Sequence, residues 1–302
     1  LMFSYALDAQ AKHSMLRSGR DDGKVADKGP RLDAAEEVEA ADWFDQSKQP
    51  VVISAEDGIQ LHGWLFDPDC AGAKPHLYAI CCHGYSGQPQ DMAKYAHRFA
   101  RLGFTVLVPA LRGHGLSEGR YAGMGWLDRR DLMRWISLII DSDADARILL
   151  QGKSMGAAAV MMTVGEPDLP RNVVAAVEDC GYASVGQQFI DCARSMFHLP
   201  KFLAKPIVTT MGAIARRRAG YGFQEASCVE QLKHATIPML FIHGGADDFV
   251  PSRALDENFD ACASIDRQKL LIPSAGHSMS ASTAPVVYWK TVTNFVTRVF
   301  GL

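Results

Sequence analysis

From residue 50 onward the chain runs in short apolar blocks separated by amphipathic stretches. Val51–Ser54, Ile59–Phe66, Leu77–Cys82, Thr105–Val108, Ile148–Gln151, Val173–Glu178, Met239–His243 and Lys269–Ile272 are the right length for strands. The first two flank Glu56-Asp57-Gly58, a turn signal that predicts a hairpin. The other six are continuously apolar rather than alternating, which is the pattern of parallel strands buried on both faces. Helical patterning fills residues 90–102, 124–140, 155–165, 251–263 and 285–300. Strand–helix alternation of this kind predicts an α/β fold with a doubly wound sheet.

Two regions break the rhythm. Residues 1–18 are weakly helical, residues 19–30 read as a charged, glycine-containing linker, and Asp33 is placed to cap a helix running to Ser47 with Trp43 and Phe44 as its anchors. Between Val177 and Pro238 the pattern is helical with no strand, and Phe189, Met196, Phe197, Phe202 and Leu203 make it too apolar for a plain connection. Residues 184–233 are therefore expected to form a helical cap over the carboxyl edge of the sheet. The division that follows is an N-terminal helical and linker extension, 1–48, and one catalytic domain, 49–302.

Composition narrows the function classes. The 302 residues are 48% hydrophobic and 22% charged with a net charge of -3, which gives no electrostatic basis for nucleic-acid binding. Seven cysteines, none in C-x-x-C, suggest neither a disulfide framework nor a zinc knuckle, and Cys81 and Cys82 are expected to pack as small hydrophobes. His62, His76, His97 and His234 lack ligand spacing, so no metal is expected. No apolar run is long enough to span a membrane. Leu1–Leu7 could be the stub of an anchor, which leaves a cytoplasmic or a membrane-tethered location, and membrane contact is expected only through the N-terminus or the basic cap residues around Arg216-Arg217-Arg218.

The chemistry concentrates in four places. Gly152-Lys153-Ser154-Met155-Gly156 follows a strand run and opens a helical one, the setting of a G-x-S-x-G nucleophile elbow. The turn is tight enough that side chains at Gly152 and Gly156 would meet backbone. A phosphate-binding loop ending in Gly-Lys-Ser would need glycine where the chain has Arg147. A serine nucleophile needs a base and an orienting acid, in the chain order Ser, Asp or Glu, His. His277 follows the last strand within Ser274-Ala275-Gly276-His277-Ser278, and Asp247 and Asp248 follow the strand Met239–His243. One of this aspartate pair faces His277 and the other caps the helix near Pro251; Asp179, past another strand end, is a third candidate. The oxyanion donors are expected to be the N–H of Met155 and the N–H of Tyr85 in Cys82-His83-Gly84-Tyr85, with Gly84 allowing close approach and His83 bracing the loop. Arg112-Gly113-His114-Gly115-Leu116-Ser117 reads as a glycine-rich turn, since its spacing fails the dinucleotide motif.

With these landmarks in order, His83-Gly84-Tyr85, Leu111 to Ser117, Gly152 to Gly156, His243-Gly244-Gly245-Ala246-Asp247 and Gly276-His277, residues 50–302 resemble the α/β-hydrolase superfamily. The Arg-Gly-His-Gly-x-Ser stretch resembles the branch of monoacylglycerol-lipase-like esterases and serine-aminopeptidase-like hydrolases, although Leu111 stands where that branch commonly has Asp. The resemblance implies an eight-stranded, mostly parallel sheet flanked by helices with a small helical cap. It also implies Asp247 as the acid, and a cofactor-free serine hydrolase acting on a small-molecule carboxylic ester through an acyl-enzyme. A peptidase or amidase is the alternative. A non-catalytic binding protein on this scaffold is the reading of a different class, set back by the presence of all three triad residues.

Overall fold

The computed structural model describes residues 2–18 and 29–302; most of the linker expected at 19–30 lies outside them. The strands are β1 (Gln49–Ser54), β2 (Gln60–Phe66), β3 (Leu77–Cys82), β4 (Thr105–Pro109), β5 (Arg147–Lys153), β6 (Val173–Asp179), β7 (Met239–Gly244) and β8 (Arg267–Ile272). They form one eight-stranded sheet in the order β1-β2-β4-β3-β5-β6-β7-β8. β1 and β2 pair antiparallel across the predicted hairpin, β2 pairs antiparallel with β4, and β4 through β8 are parallel.

The apolar runs are continuous because both faces of the sheet are covered. In β5, Ile148 and Leu150 face one core, with Trp135 and Val160 from the helices Asp128–Ser142 and Met155–Val164. Leu149 faces the other, with Phe44, Phe99 and Phe295 from the helices Ala34–Ser47, Ala93–Arg101 and Pro285–Phe300. Cys81 and Cys82 are fully buried, and all seven cysteines are free.

Three local expectations are corrected. Asp33 occupies the N-cap position of Ala34–Ser47 but makes no capping bond, because its carboxylate pairs with the buried ammonium of Lys94, which needs a counter-charge inside the fold. The helix expected from residue 124 begins at Asp128, whose carboxylate accepts the Gly125 N–H at 2.8 Å and so holds the preceding residues in a turn. The helix after Pro251 starts at Arg253 with Ser252 at its N-cap, so Asp248 is not its cap. Between β6 and β7 run the helices Val185–Phe197, Lys201–Arg218 and Cys228–Leu232. No helix among the described residues is long and apolar enough to cross a membrane.

Candidate active site

Parallel pairing puts the carboxyl ends of β3, β5, β6, β7 and β8 along one edge, and the chemistry gathers there. At the end of β5 the chain turns so sharply that a Cβ on Gly152 would lie 2.3 Å from the Gly156 carbonyl oxygen, and one on Gly156 would lie 2.2 Å from that of Cys82. Only glycine fits either place. Ser154 sits at the apex with φ 56 and ψ -117, a conformation that costs about 1–3 kcal/mol and holds its hydroxyl clear of the sheet. Its N–H donates to the Asp179 carbonyl at 2.8 Å, which ties the strained residue to β6.

Ser154, His277 and Asp247 arrive from three strand ends and meet. Ser154 Oγ lies 2.8 Å from His277 Nε2, and His277 Nδ1 lies 2.7 Å from Asp247 Oδ2. All three are buried. Burial works to raise the Asp247 carboxyl, but the hydrogen bonds it accepts from His243 and His277 outweigh it and hold Asp247 well below the usual carboxylate range. An ionised carboxylate only accepts, so Nδ1 of His277 carries the proton and the Nε2 lone pair faces the serine hydroxyl. The N–H groups of Phe249 and Val250 donate to the other oxygen, Oδ1, at 3.0 and 2.8 Å. Asp248 is exposed. Asp179, the third acidic candidate, spends its carboxylate on the Tyr288 hydroxyl at 2.9 Å, and burial pushes its pKa up.

The loop after β3 lies against the serine. A Cβ on Gly84 would stand 3.3 Å from Ser154 Cβ, and Tyr85 lines the same cavity as Ser154. His83 is fully buried; its Nε2 accepts the Leu111 N–H at 3.0 Å, so its Nδ1 is the donor to the Gly84 carbonyl 2.8 Å away. That pair ties the loop to β4's end and gives Leu111 a backbone role. Met155 opens the helix, where its N–H has no intrahelical acceptor. Lys153 holds its ammonium 5.8 Å from the Tyr95 ring. Arg112 binds Asp131 through two nitrogens, each at 2.7 Å, so the Arg-Gly-His-Gly turn is a structural tie.

Three features were not read from the sequence. Glu178, fully buried beside His243 and with its Oε1 unpartnered, is pushed by burial to about 8. His243 donates to the Val250 carbonyl at 3.0 Å and comes within 3.4 Å of Asp247. Their burial follows from strand pairing, which leaves no mark at single positions. The third feature is an apolar cavity of about 750 Å³, its open mouth included, that reaches Ser154 and is walled by the inserted helices and by the N-terminal segment. Cys180, Asp247 and His277 offer polar atoms within 4.8 Å of one another, but Asp247 and His277 already bond each other and burial keeps the Cys180 thiol protonated. Those donors describe a hydrogen-bonded site rather than a metal centre.

A family model described as serine aminopeptidase S33 matches residues 73–213, spanning the β3 loop, the elbow and the start of the inserted helices. The chain has the α/β-hydrolase fold. This hydrolase is 26% identical over 255 residues to the uncharacterized Bacillus subtilis protein YqkD, covering 84% of this chain and 81% of that one. Among solved structures it resembles the Pyrococcus furiosus esterase Pf2001, with TM-score 0.67 and 21% identity over 83% of this chain and 92% of the other. It also resembles a Mycobacterium tuberculosis puromycin-hydrolyzing peptidase, with TM-score 0.64 and 17% identity over 84% of this chain and 39% of that one. At these identities the two structures speak for the fold.

Proposed function

We propose that this α/β-hydrolase cleaves carboxylic esters with a Ser154–His277–Asp247 triad. The observation that carries the reading is the unbroken hydrogen-bond series from Ser154 Oγ to His277 at 2.8 Å and on to Asp247 at 2.7 Å. His277 Nε2 takes the hydroxyl proton as Oγ adds to the ester carbonyl, and Asp247 stabilises the imidazolium that results. The oxyanion is held by the N–H groups of Met155 and Tyr85, each such donor being worth about 10²–10³ in rate. Collapse of the tetrahedral species breaks the bond to the alcohol oxygen, which leaves with the proton from His277. His277 then deprotonates a water that attacks the acyl-Ser154, and the acid departs as Ser154 recovers its proton. No step calls for a cofactor.

Amide cleavage is the second reading, favoured by the serine-aminopeptidase description of the matching family model. Against it, the described residues lining the cavity include no Asp or Glu that would hold a substrate ammonium. A panel of p-nitrophenyl esters beside aminoacyl anilides decides between them. The ester reading expects turnover of the esters and none of the anilides; efficient anilide turnover would reverse the assignment.

A further inference from the structure

The cavity at Ser154 has an unexpected wall. Met2, Tyr5, Ala6 and Met15, from a segment with weak sequence patterning, line it together with Ser154. The segment is fixed rather than draped. Leu7 is fully buried, the Ala122 N–H donates to the Leu7 carbonyl at 2.9 Å, the Ala9 N–H donates to the Arg120 carbonyl at 2.7 Å, and Arg120 pairs with Asp8 at 3.1 Å. Phe3 packs on Tyr121 with ring centroids 5.4 Å apart. It also touches the site itself, because the Tyr85 hydroxyl donates to the Ala6 carbonyl.

The cavity's own polar atoms are turned away from it. The Tyr182 hydroxyl donates to the Met124 carbonyl at 3.0 Å, and the Gln188 amide nitrogen donates to the Phe249 carbonyl at 2.8 Å. What a ligand would meet is Met2, Met15, Met124, Met196 and Met211 with Phe189 and Phe197, a lining of long, adaptable apolar side chains. A ligand there gains burial of hydrocarbon and little hydrogen bonding except at Ser154.

We propose that residues 2–16 are a specificity-determining part of the active site, closing an apolar pocket that takes the unbranched aliphatic acyl chain of the ester. The proposal rests on the ester-hydrolase reading and deepens it by naming the substrate class. Each methylene buried is worth about 0.8 kcal/mol, roughly fourfold in affinity. An octanoyl group therefore outcompetes an acetyl group in kcat/KM by at least tenfold even if only two or three methylenes are well packed.

The test uses the full chain with two substitutions in the wall. Ala6→Leu fills the pocket from the N-terminal side, and Met15→Ala widens it. The readouts are kcat/KM for p-nitrophenyl acetate, butyrate and octanoate, melting temperature, and isothermal titration with sodium decanoate, which reports the pocket without turnover. Expected are a wild-type preference for octanoate, a tenfold or larger loss on octanoate in Ala6→Leu with acetate within about threefold, and a shift of the optimum to longer chains in Met15→Ala. Decanoate should bind the wild type and not Ala6→Leu. Equal losses on all three esters, or an unchanged chain-length profile in folded variants, would overturn the wall. If no ester is turned over, decanoate binding that Ala6→Leu abolishes would uphold the pocket and sink the ester-hydrolase reading. Absence of decanoate binding to the wild type would sink the pocket.

Discussion

Replacing Asp247 by Asn is the sharpest perturbation of the site, because the surrounding bonds dictate what the amide must do. The Phe249 and Val250 N–H groups point at one oxygen of residue 247, so the Asn carbonyl must take that place and its NH2 must turn toward His277. An NH2 group only donates, so Nδ1 of His277 becomes the acceptor and the ring proton moves to Nε2, where it blocks acceptance of the Ser154 proton. The charge term acts in the same direction. Imidazolium and carboxylate centres about 4 Å apart at an effective dielectric of about 20 interact by about 4 kcal/mol, which is about three decades in rate. The expected loss in kcat is 10³–10⁴-fold with an unchanged fold, read from steady-state turnover of p-nitrophenyl butyrate at pH 7.5 alongside circular dichroism. Asp248→Asn, at an exposed carboxylate, should stay within about threefold. A folded Asp247→Asn enzyme that kept more than a tenth of its activity would refute the reasoning, and so would the large loss appearing at Asp248 instead.

Two further outcomes follow from the same geometry. Gly156→Ala drives a Cβ to 2.2 Å from the Cys82 carbonyl oxygen, a backbone collision that cannot relax by rotating a side chain. It should cost about 4 kcal/mol or more and lower Tm by about 10 °C, whereas a Tm within about 2 °C of wild type would contradict the elbow geometry. Glu178 holds its proton to about 8 in the fold against an ordinary value of 4.5. Folding thus binds a proton between those values, and its contribution, present below 4.5, is lost as pH rises through about 8. Between pH 5 and pH 9 the wild type should therefore lose more Tm than Glu178→Gln does, as measured by calorimetry. Parallel curves for the two proteins would contradict the assignment.

The sheet was legible because strands buried on both faces carry continuous apolar runs, as in Leu77–Cys82 and Met239–Ile242. What the pattern misplaces are the ends. Arg147, Lys153 and Arg267 stay in the sheet because backbone pairing continues after the apolar run stops. Ser154, Asp247 and His277 stood out as residues just past strand ends, and 123 residues separate Ser154 from the ring it meets. The choice between Asp247 and Asp248 could not come from spacing, since it depends on which carboxylate turns inward. The cavity wall was illegible for a related reason: Met2, Tyr5, Ala6 and Met15 belong to a segment placed by docking on Tyr85 and Arg120–Ala122, contacts that local patterning does not encode.

The central claim is that the Ser154 hydroxyl is a nucleophile activated by His277. A fluorophosphonate reacts with such a serine and with few others, so the native protein should form one covalent adduct, mapped by peptide mass spectrometry to Ser154 and absent from Ser154→Ala. Folded protein that takes up no label, or takes it up at another residue, would contradict the account.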